Sequence, residues 1–339
     1  MPSRLLGGLS PQEFLRRHWQ KRPLFVPAAL PGFRGVIERR GLAALARRDD
    51  VESRIVERRA NRWDTAHGPF ATIPRKPRNW TLLVSGVNHH AAKAEALLRR
   101  FSFIPQARLD DVMVSYAVPG GGVGPHSDSY DVFLVQGAGR RRWTVLGKNY
   151  ICGPGDLLYV PPGIEHDGVA LEPCCTCSVG FRAPRVSELA ATFLDWLHER
   201  GLPDAMYRDA DLTPVIHPAR LPREMIRFAA DILGRIRWTK RDVEDFLGRY
   251  LSAPKPHVVF RPGTSKGSRA RLDARTQLLY SGSRFFVNGE SFTLPQRDRA
   301  AMRALADRRE VAAARLAGQA ELVREWLHAG YLHFVKKDG

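Results

Sequence analysis

The sequence predicts an α+β fold in which a strand-rich centre lies between helical flanks. Three observations predict it. Between residues 111 and 182, runs rich in β-branched and aromatic residues alternate with glycine-rich turns at 120–124, 137–139 and 153–155. Outside that stretch, apolar residues recur at helical spacing behind capping residues. Toward the C-terminal end, Asn288-Gly289 stands between two apolar runs, a strong hairpin signal. The expected division is a helix-and-strand extension over 1–79, the strand-rich core over 80–185, a helical region over 186–252 and a further domain over 253–339.

Taken in order, Ser10-Pro11-Gln12-Glu13 is a capping box with proline at the first helical position, opening a helix through Phe14, His18 and Trp19. In the strand from Asp111 to Tyr116, the residues Asp111, Met113 and Ser115 are two apart and share one face. The glycine-rich turn of 118–125 follows, then a strand over 130–136, and Arg140 to Val145 reads as its return strand. Ser187 is expected to start a helix whose stripe is Leu189, Phe193, Trp196 and Leu197, ending at Gly201. Further helices are expected from Glu224 to Trp238 and, capped by Thr239, through Val243, Phe246, Leu247 and Tyr250. A linker at 252–256 and a loop at 262–268 precede the Asn288-Gly289 hairpin, and helical patterns return at 296–308 and 319–327.

At 339 residues and 44% hydrophobic content the chain can bury a substantial core. No run of eighteen apolar residues would span a membrane and the first residues, Met1-Pro2-Ser3 onward, lack a secretory apolar segment, so a cytoplasmic location is expected. The formal charge of +18 points to nucleic acid or to an acidic assembly such as the ribosome, although arginines outnumbering lysines roughly five to one would equally follow from a GC-rich genome. Cys174-Cys175-Thr176-Cys177 contains a C-x-x-C spacing, but with only Cys152 elsewhere there is no second pair for a zinc ribbon, and small apolar strand fillers are the expectation.

The residues that carry chemistry are His126-Ser127-Asp128 and a lone downstream histidine, His166. On a strand, His126 and Asp128 would point to the same face, and one more histidine completes a two-His, one-carboxylate set that leaves three positions of a non-haem Fe(II) open. Period-2 alternation with Trp143 and Val145 inward puts Arg141 on the inner face, with Arg140 and Arg142 on a solvated basic face. A buried guanidinium needs an anionic partner, and the distal carboxylate of 2-oxoglutarate suits it.

These motifs sit in a recognisable frame. The stretch from Asp111 to Arg182, with Pro-Gly-Gly-Gly-Val-Gly-Pro-His-x-Asp at 119–128, Gly-Arg-Arg-Arg-Trp at 139–143, Pro-Gly-Asp at 154–156 and Ser-Val-Gly-Phe-Arg at 178–182, closely resembles the bacterial JmjC-type ribosomal oxygenases of the cupin superfamily, as does Phe14 to Leu24. The resemblance implies a double-stranded β-helix (jelly-roll) core, a helical dimerisation region, a C-terminal winged-helix-like domain and a homodimer. It implies Fe(II) held by His126, Asp128 and His166, 2-oxoglutarate anchored by Arg141 with Ser115, Ser178 and Thr176 as minor contacts, and dioxygen as oxidant. The implied substrate is an arginine side chain of large-subunit ribosomal protein number sixteen, gripped by Asp111, Met113 and Tyr130, with succinate and carbon dioxide released. A carboxylate edge-on and an aromatic ring face-on suit a guanidinium. A histidine target and a non-catalytic ribosome-binding scaffold are the alternatives; Asp111 speaks against the first and the complete triad against the second. A weak contact with ribosomal RNA is a further expectation. The chain departs from several relatives in the short connection after Tyr150, with 37 residues between Asp128 and His166, which bears on substrate entrance more than on iron.

Overall fold

The computed structural model describes residues 4–336 apart from 61, 203, 205 and 265. Met1, Pro2 and Ser3, and Ser265 of the expected loop, lie outside the described residues. Contacts divide the chain into two compact units, one of residues 1–183, 254–277 and 295–339, the other of 184–253 and 278–294.

The first unit begins with α1 (Pro11–Arg17), β1 (Leu24–Val26), α2 (Arg39–Leu45), β2 (Ser53–Arg59), β3 (Arg62–His67), β4 (Trp80–Val84) and α3 (Ala92–Arg99). Then come β5 (Leu109–Ala117), β6 (Val132–Ala138), β7 (Arg141–Val145), β8 (Lys148–Cys152), β9 (Leu157–Val160), β10 (His166–Ala170) and β11 (Cys174–Phe181). Eight strands form one antiparallel sheet in the order β1-β9-β6-β11-β5-β4-β2-β3, and β10-β7-β8 form a second. The strands expected to belong to an N-terminal extension thus extend the same sheet as the core, because β4 pairs with both β2 and β5.

The two halves of the α1 capping box are both made: the Glu13 amide donates to Ser10 Oγ at 3.2 Å and the Ser10 amide to Glu13 Oε2 at 2.9 Å. The helix is shorter than its pattern, ending at Arg17 with His18 as its cap. It delivers Phe14 into an aromatic core with Phe133 and Tyr159, ring centroids 5.4 and 5.0 Å away. Three fully buried aromatics of this size remove several hundred Å² from water and dominate the core's stabilisation.

The segment expected to return on β6 does not do so. β7 pairs with β10 and β8, whereas β6 pairs with β11 and β9. The turn at 137–139 explains the difference: Gly139 has φ 59° and a Cβ there would stand 2.2 Å from the Pro173 carbonyl, so only glycine lets the chain cross to the other sheet. The expected alternation survives, with Arg141, Trp143 and Val145 buried and Arg142 exposed. β7 and β8 are joined by a two-residue hairpin loop, Leu146-Gly147, with φ 50° and 73°.

Beyond residue 183 the chain forms α4 (Val186–Glu199), α5 (Arg223–Arg235), α6 (Lys240–Ser252), β12 (Arg269–Leu272), β13 (Leu278–Ser281), β14 (Arg284–Val287), β15 (Glu290–Thr293), α7 (Gln296–Arg308), β16 (Glu310–Ala312), α8 (Ala320–Ala329) and β17 (Leu332–Val335). Thr239 caps α6 as its sequence predicts, in a reciprocal box with Asp242. Ser187 does not cap α4, which starts one residue earlier after Arg185 without a side-chain cap. Asn288 and Gly289 make the expected tight turn between β14 and β15, at φ 49° and 95°.

The second unit consists of α4, α5, α6 and the β13-β14-β15 sheet. The hairpin therefore groups with the helices before it rather than with the residues after it, since Gly248 leaves room on α6 for the Phe286 ring. Phe193, Trp196 and Phe246 form its small aromatic core. Neither α4 nor α5 has a fully buried residue, and Val186, Met206 and Ile216 are 85%, 84% and 90% exposed. In the first unit, β12 is the centre of a β16-β12-β17 sheet joined by α7 and α8.

Candidate active site

His126 follows the glycine-rich turn, where the backbone passes so close to β10 that a Cβ on Gly122 would lie 2.5 Å from the Gly168 carbonyl. It is not part of a regular strand. One antiparallel bridge pairs it with His166, the first residue of β10, through the His126 amide to the His166 carbonyl at 3.1 Å and the reverse bond at 2.8 Å. Asp128 lies two residues further in the loop, held by the Gly163 amide donating to its carbonyl at 2.8 Å. One donor atom from each of His126, Asp128 and His166 lies within 4.8 Å of the other two.

The imidazoles are oriented by local backbone. Nδ1 of His126 donates to the Gly124 carbonyl at 2.9 Å and Nδ1 of His166 to the Ile164 carbonyl at 3.0 Å. A carbonyl only accepts, so each Nδ1 carries the proton and each Nε2 keeps its lone pair for a metal. Burial pushes His166 below the usual histidine range, which keeps it a neutral ligand. Its Nε2 stands 3.7 Å from Asp128 Oδ2. Two neutral imidazoles and one carboxylate on one side of a cavity fit a divalent transition metal with open positions.

That cavity has a volume of about 470 Å³ and is lined from both sheets. Arg141 projects into it from β7, 4% exposed, its guanidinium 5.6 Å from the Trp143 ring centre. Its Nε and Nη2 have no partner among the described residues, and the same holds for the buried Thr81 hydroxyl and Trp143 Nε1 in the same cavity. A buried guanidinium without a partner is costly, so this end of the cavity is chemically prepared for an anion such as a dicarboxylate. Ser115 and Ser178 line the cavity as well. Thr176 is not among the lining residues: its hydroxyl donates at 2.9 Å to Oε1 of Gln136, its cross-strand partner on β6.

The opposite end is acidic. Asp111 and Met113 face the cavity from β5 as the alternation requires, and Tyr130 closes it from the loop before β6. Gly180 lies between them: a Cβ there would be 3.8 Å from Asp111 Oδ1 and 3.9 Å from the Tyr130 ring. The Gly86 amide donates to Asp111 Oδ2 at 2.9 Å. Burial raises the Asp111 carboxyl above the usual aspartate range, against the pull of Lys255 and the Gly86 amide. Burial, with Asp128 close by, raises the Tyr130 phenol as well. The segment is pinned by Asp131, wholly buried, which accepts from Tyr159 Oη at 2.6 Å and Gln20 Nε2 at 3.0 Å and pairs with Arg108.

Among the cavity residues that the sequence reading did not single out are Thr81 and Lys255. Thr81 was findable, since Thr81, Leu83 and Ser85 alternate onto the cavity face of β4. Lys255 was not. It stood in a proline-flanked linker, yet its Nζ lies 3.1 Å from Asp110 Oδ2 and 3.6 Å from Asp111 Oδ2.

Comparison with known proteins agrees with this geometry. Residues 96–152 and 147–189 match the JmjC domain family in two overlapping pieces, and residues 235–333 match the ROXA-like winged helix family. The chain is 36% identical to the ribosomal protein uL16 3-hydroxylase of Escherichia coli (strain K12), over 84% of this chain and 86% of that protein. The chain belongs to the JmjC-type ribosomal oxygenases. The solved structure of one such ribosomal oxygenase, YcfD from Escherichia coli in complex with cobalt and succinic acid, superimposes with a TM-score of 0.80 at 35% identity, covering 96% of this chain and 98% of that one. The same protein in complex with cobalt and 2-oxoglutarate gives 0.79 at 34% identity, with the same coverage. The two-sheet core is accordingly the double-stranded β-helix of the ribosomal oxygenases, followed by their winged-helix region. Among the described residues no helix is long and apolar enough to cross a membrane.

Proposed function

We propose that this ribosomal oxygenase is an Fe(II)- and 2-oxoglutarate-dependent hydroxylase acting on an arginine side chain of large-subunit ribosomal protein number sixteen. The observation that carries the reading is the joining, in one cavity, of an oriented His-Asp-His set, a buried arginine without a protein partner and an acid-aromatic pocket. His126, Asp128 and His166 would hold the iron. When bound, iron, 2-oxoglutarate and dioxygen supply oxidation of an unactivated C–H bond to C–OH, coupled to conversion of 2-oxoglutarate into succinate and carbon dioxide.

The chain's own residues bind, orient and exclude. Arg141 takes the distal carboxylate of 2-oxoglutarate through two parallel hydrogen bonds, with the Thr81, Ser115 and Ser178 hydroxyls beside it. Met113, Leu134 and Trp143 give the cavity apolar walls that limit water around the reacting carbon. At the far end Asp111 would accept from the substrate guanidinium and the Tyr130 ring would stack on it, orienting the side chain in the cavity that His126, Asp128 and His166 also line. A histidine substrate would leave Asp111 poorly matched, which favours arginine.

The uL16 substrate is supported by the name of the Escherichia coli relative. A homodimer formed through residues 186–252 is supported by the apolar surface of α4 and α5, and the action of the relative on a ribosomal protein supports a cytoplasmic setting. The test is an assay with Fe(II), 2-oxoglutarate and an arginine-containing peptide of that ribosomal protein, following succinate and a shift of about 16 Da, the mass of one oxygen atom transferred to the substrate. A shift on arginine that vanishes in His126→Ala is expected; succinate formed without any peptide shift would remove this substrate.

A further inference from the structure

A second cleft, wider than the active cavity, lies outside it. It has a volume of about 900 Å³ and six cations line it: Arg39, Arg40 and Arg47 around α2, Arg59 at the end of β2, and Arg75 and Lys76 from the segment before β4. Only two acids line it, Glu57 and Asp64. Glu57 serves Lys76 at 2.9 Å and Arg59 at 3.2 Å, and Asp64 serves Arg59 at 3.4 Å. Arg39, Arg40, Arg47 and Arg75 have no carboxylate partner among the described residues; Arg39 lies over the Tyr116 ring at 4.9 Å, and Arg47 donates only to the Ala43 and Ala71 carbonyls. Four like charges converge without compensation.

Their placement relative to the active cavity is set by β2. Arg54 and Val56 line the active cavity, while Ile55, Glu57 and Arg59 line the cleft, as alternation along one strand requires. The cleft and the active cavity therefore lie on opposite faces of β2. The active cavity balances Glu52, Asp110, Asp111 and Asp128 against Arg54, Arg141 and Lys255, whereas the cleft carries four arginines without a carboxylate partner among the described residues. The excess of positive charge thus gathers at the cleft rather than in the active cavity.

We infer that this cleft binds the phosphate backbone of single-stranded or irregular RNA. Five of its six cations are arginines, whose planar fork matches phosphate bidentately. Phe70 lines the same cleft, half-buried, giving the aromatic surface that accompanies basic grooves for unpaired bases. The inference rests on the proposed function only in taking RNA, the polyanion that surrounds a ribosomal protein, as the source of phosphate. The ribosomal RNA contact is thereby assigned to the N-terminal half of the chain and not to the C-terminal winged-helix region.

The test reads binding, not turnover, so it stands apart from the substrate assignment. Full-length protein is titrated into a fluorescein-labelled single-stranded RNA of about 20 nucleotides, several OB-fold site sizes long, and anisotropy is followed over a range of salt. The variant Arg40→Gln/Arg47→Gln/Arg75→Gln is expected to raise Kd at least about tenfold and to flatten the log–log salt slope by about 2, at roughly 0.7 for each phosphate no longer neutralised. A charge-matched control, Arg22→Gln/Arg297→Gln/Arg324→Gln, is expected to bind as the parent does. Thermal melting of both variants verifies folding. Parent-like binding by the cleft variant, or equal weakening in the control, overturns the inference. Displacement of RNA by polyglutamate at equal charge concentration would also overturn it, transferring the cleft to an acidic protein.

Discussion

The two ends of the active cavity are built by different means. At the histidine end, orientation comes from neighbouring backbone: each imidazole is fixed by a carbonyl two residues before it, and the two histidines are joined by a single backbone bridge. At the acid end, orientation comes from charge delivered across the fold, with Lys255 reaching Asp110 from 145 positions along the chain. The first end cannot adapt without remodelling its main chain, whereas the second is held by ion pairs that an incoming cation can share or displace. Chemistry and recognition are thus separated within one cavity of about 470 Å³.

The largest test of that separation removes the histidine end. His126→Ala or Asp128→Ala is expected to bring succinate release and peptide hydroxylation down to background while cooperative thermal unfolding persists, since both side chains are only partly buried. Turnover at the parental rate in either variant would refute the metal assignment. A smaller effect is expected at Arg141. Arg141→Lys keeps the charge but loses the fork, and the loss of about 1.5–3 kcal/mol for a charge-assisted hydrogen bond corresponds to a rise of roughly 10- to 150-fold in KM for 2-oxoglutarate. An unchanged KM for 2-oxoglutarate with an altered KM for peptide would move Arg141 to the recognition end.

The same contrast explains what the sequence made legible. Residues that act through local geometry could be read directly: the Ser10–Glu13 and Thr239–Asp242 boxes, the Asn288-Gly289 turn, and His126 with Asp128, two positions apart. The inward turn of Arg141 was readable too, because strand alternation is independent of which strand lies alongside. The partner of β7 was not readable, since Gly139 signals a turn without saying which sheet the chain enters. Thr176 and Ser178 keep the alternation of β11, but the Thr176 hydroxyl is taken up by Gln136, a cross-strand contact that no local pattern shows. The contact of Lys255 with Asp110 and the gathering of arginines in the cleft depend on tertiary placement that no local pattern encodes.

At the acid end the effects should be moderate and confined to peptide. Asp111→Asn preserves shape but removes the charge, and a rise of roughly tenfold in peptide KM is expected, about 1.4 kcal/mol. 2-Oxoglutarate turnover without peptide should stay near the parental value; equal losses in both would sink the role of Asp111. The raised Asp111 carboxyl adds a pH signature. The neutral acid cannot pair with a guanidinium, so peptide KM should climb as pH falls, starting above the ordinary aspartate range. That limb should be missing from Asp111→Asn.

The smallest expected effect is the sharpest probe of how the acid end works. In the free enzyme burial works against the charge on Lys255, but Asp111 and Asp110 outweigh it and hold the ammonium more firmly protonated than usual. Lys255 thereby neutralises the acids that the substrate guanidinium needs. Its side chain is about one-third exposed, so the pair contributes no more than about 1 kcal/mol. Lys255→Met should therefore lower peptide KM by up to about fivefold, leave KM for 2-oxoglutarate unchanged, and have no effect when combined with Asp111→Asn if Asp111 is the acid it competes for. A raised peptide KM in the single variant would instead mean that Lys255 helps to hold the acids in place for the substrate, and the acid end would then be as preformed as the histidine end.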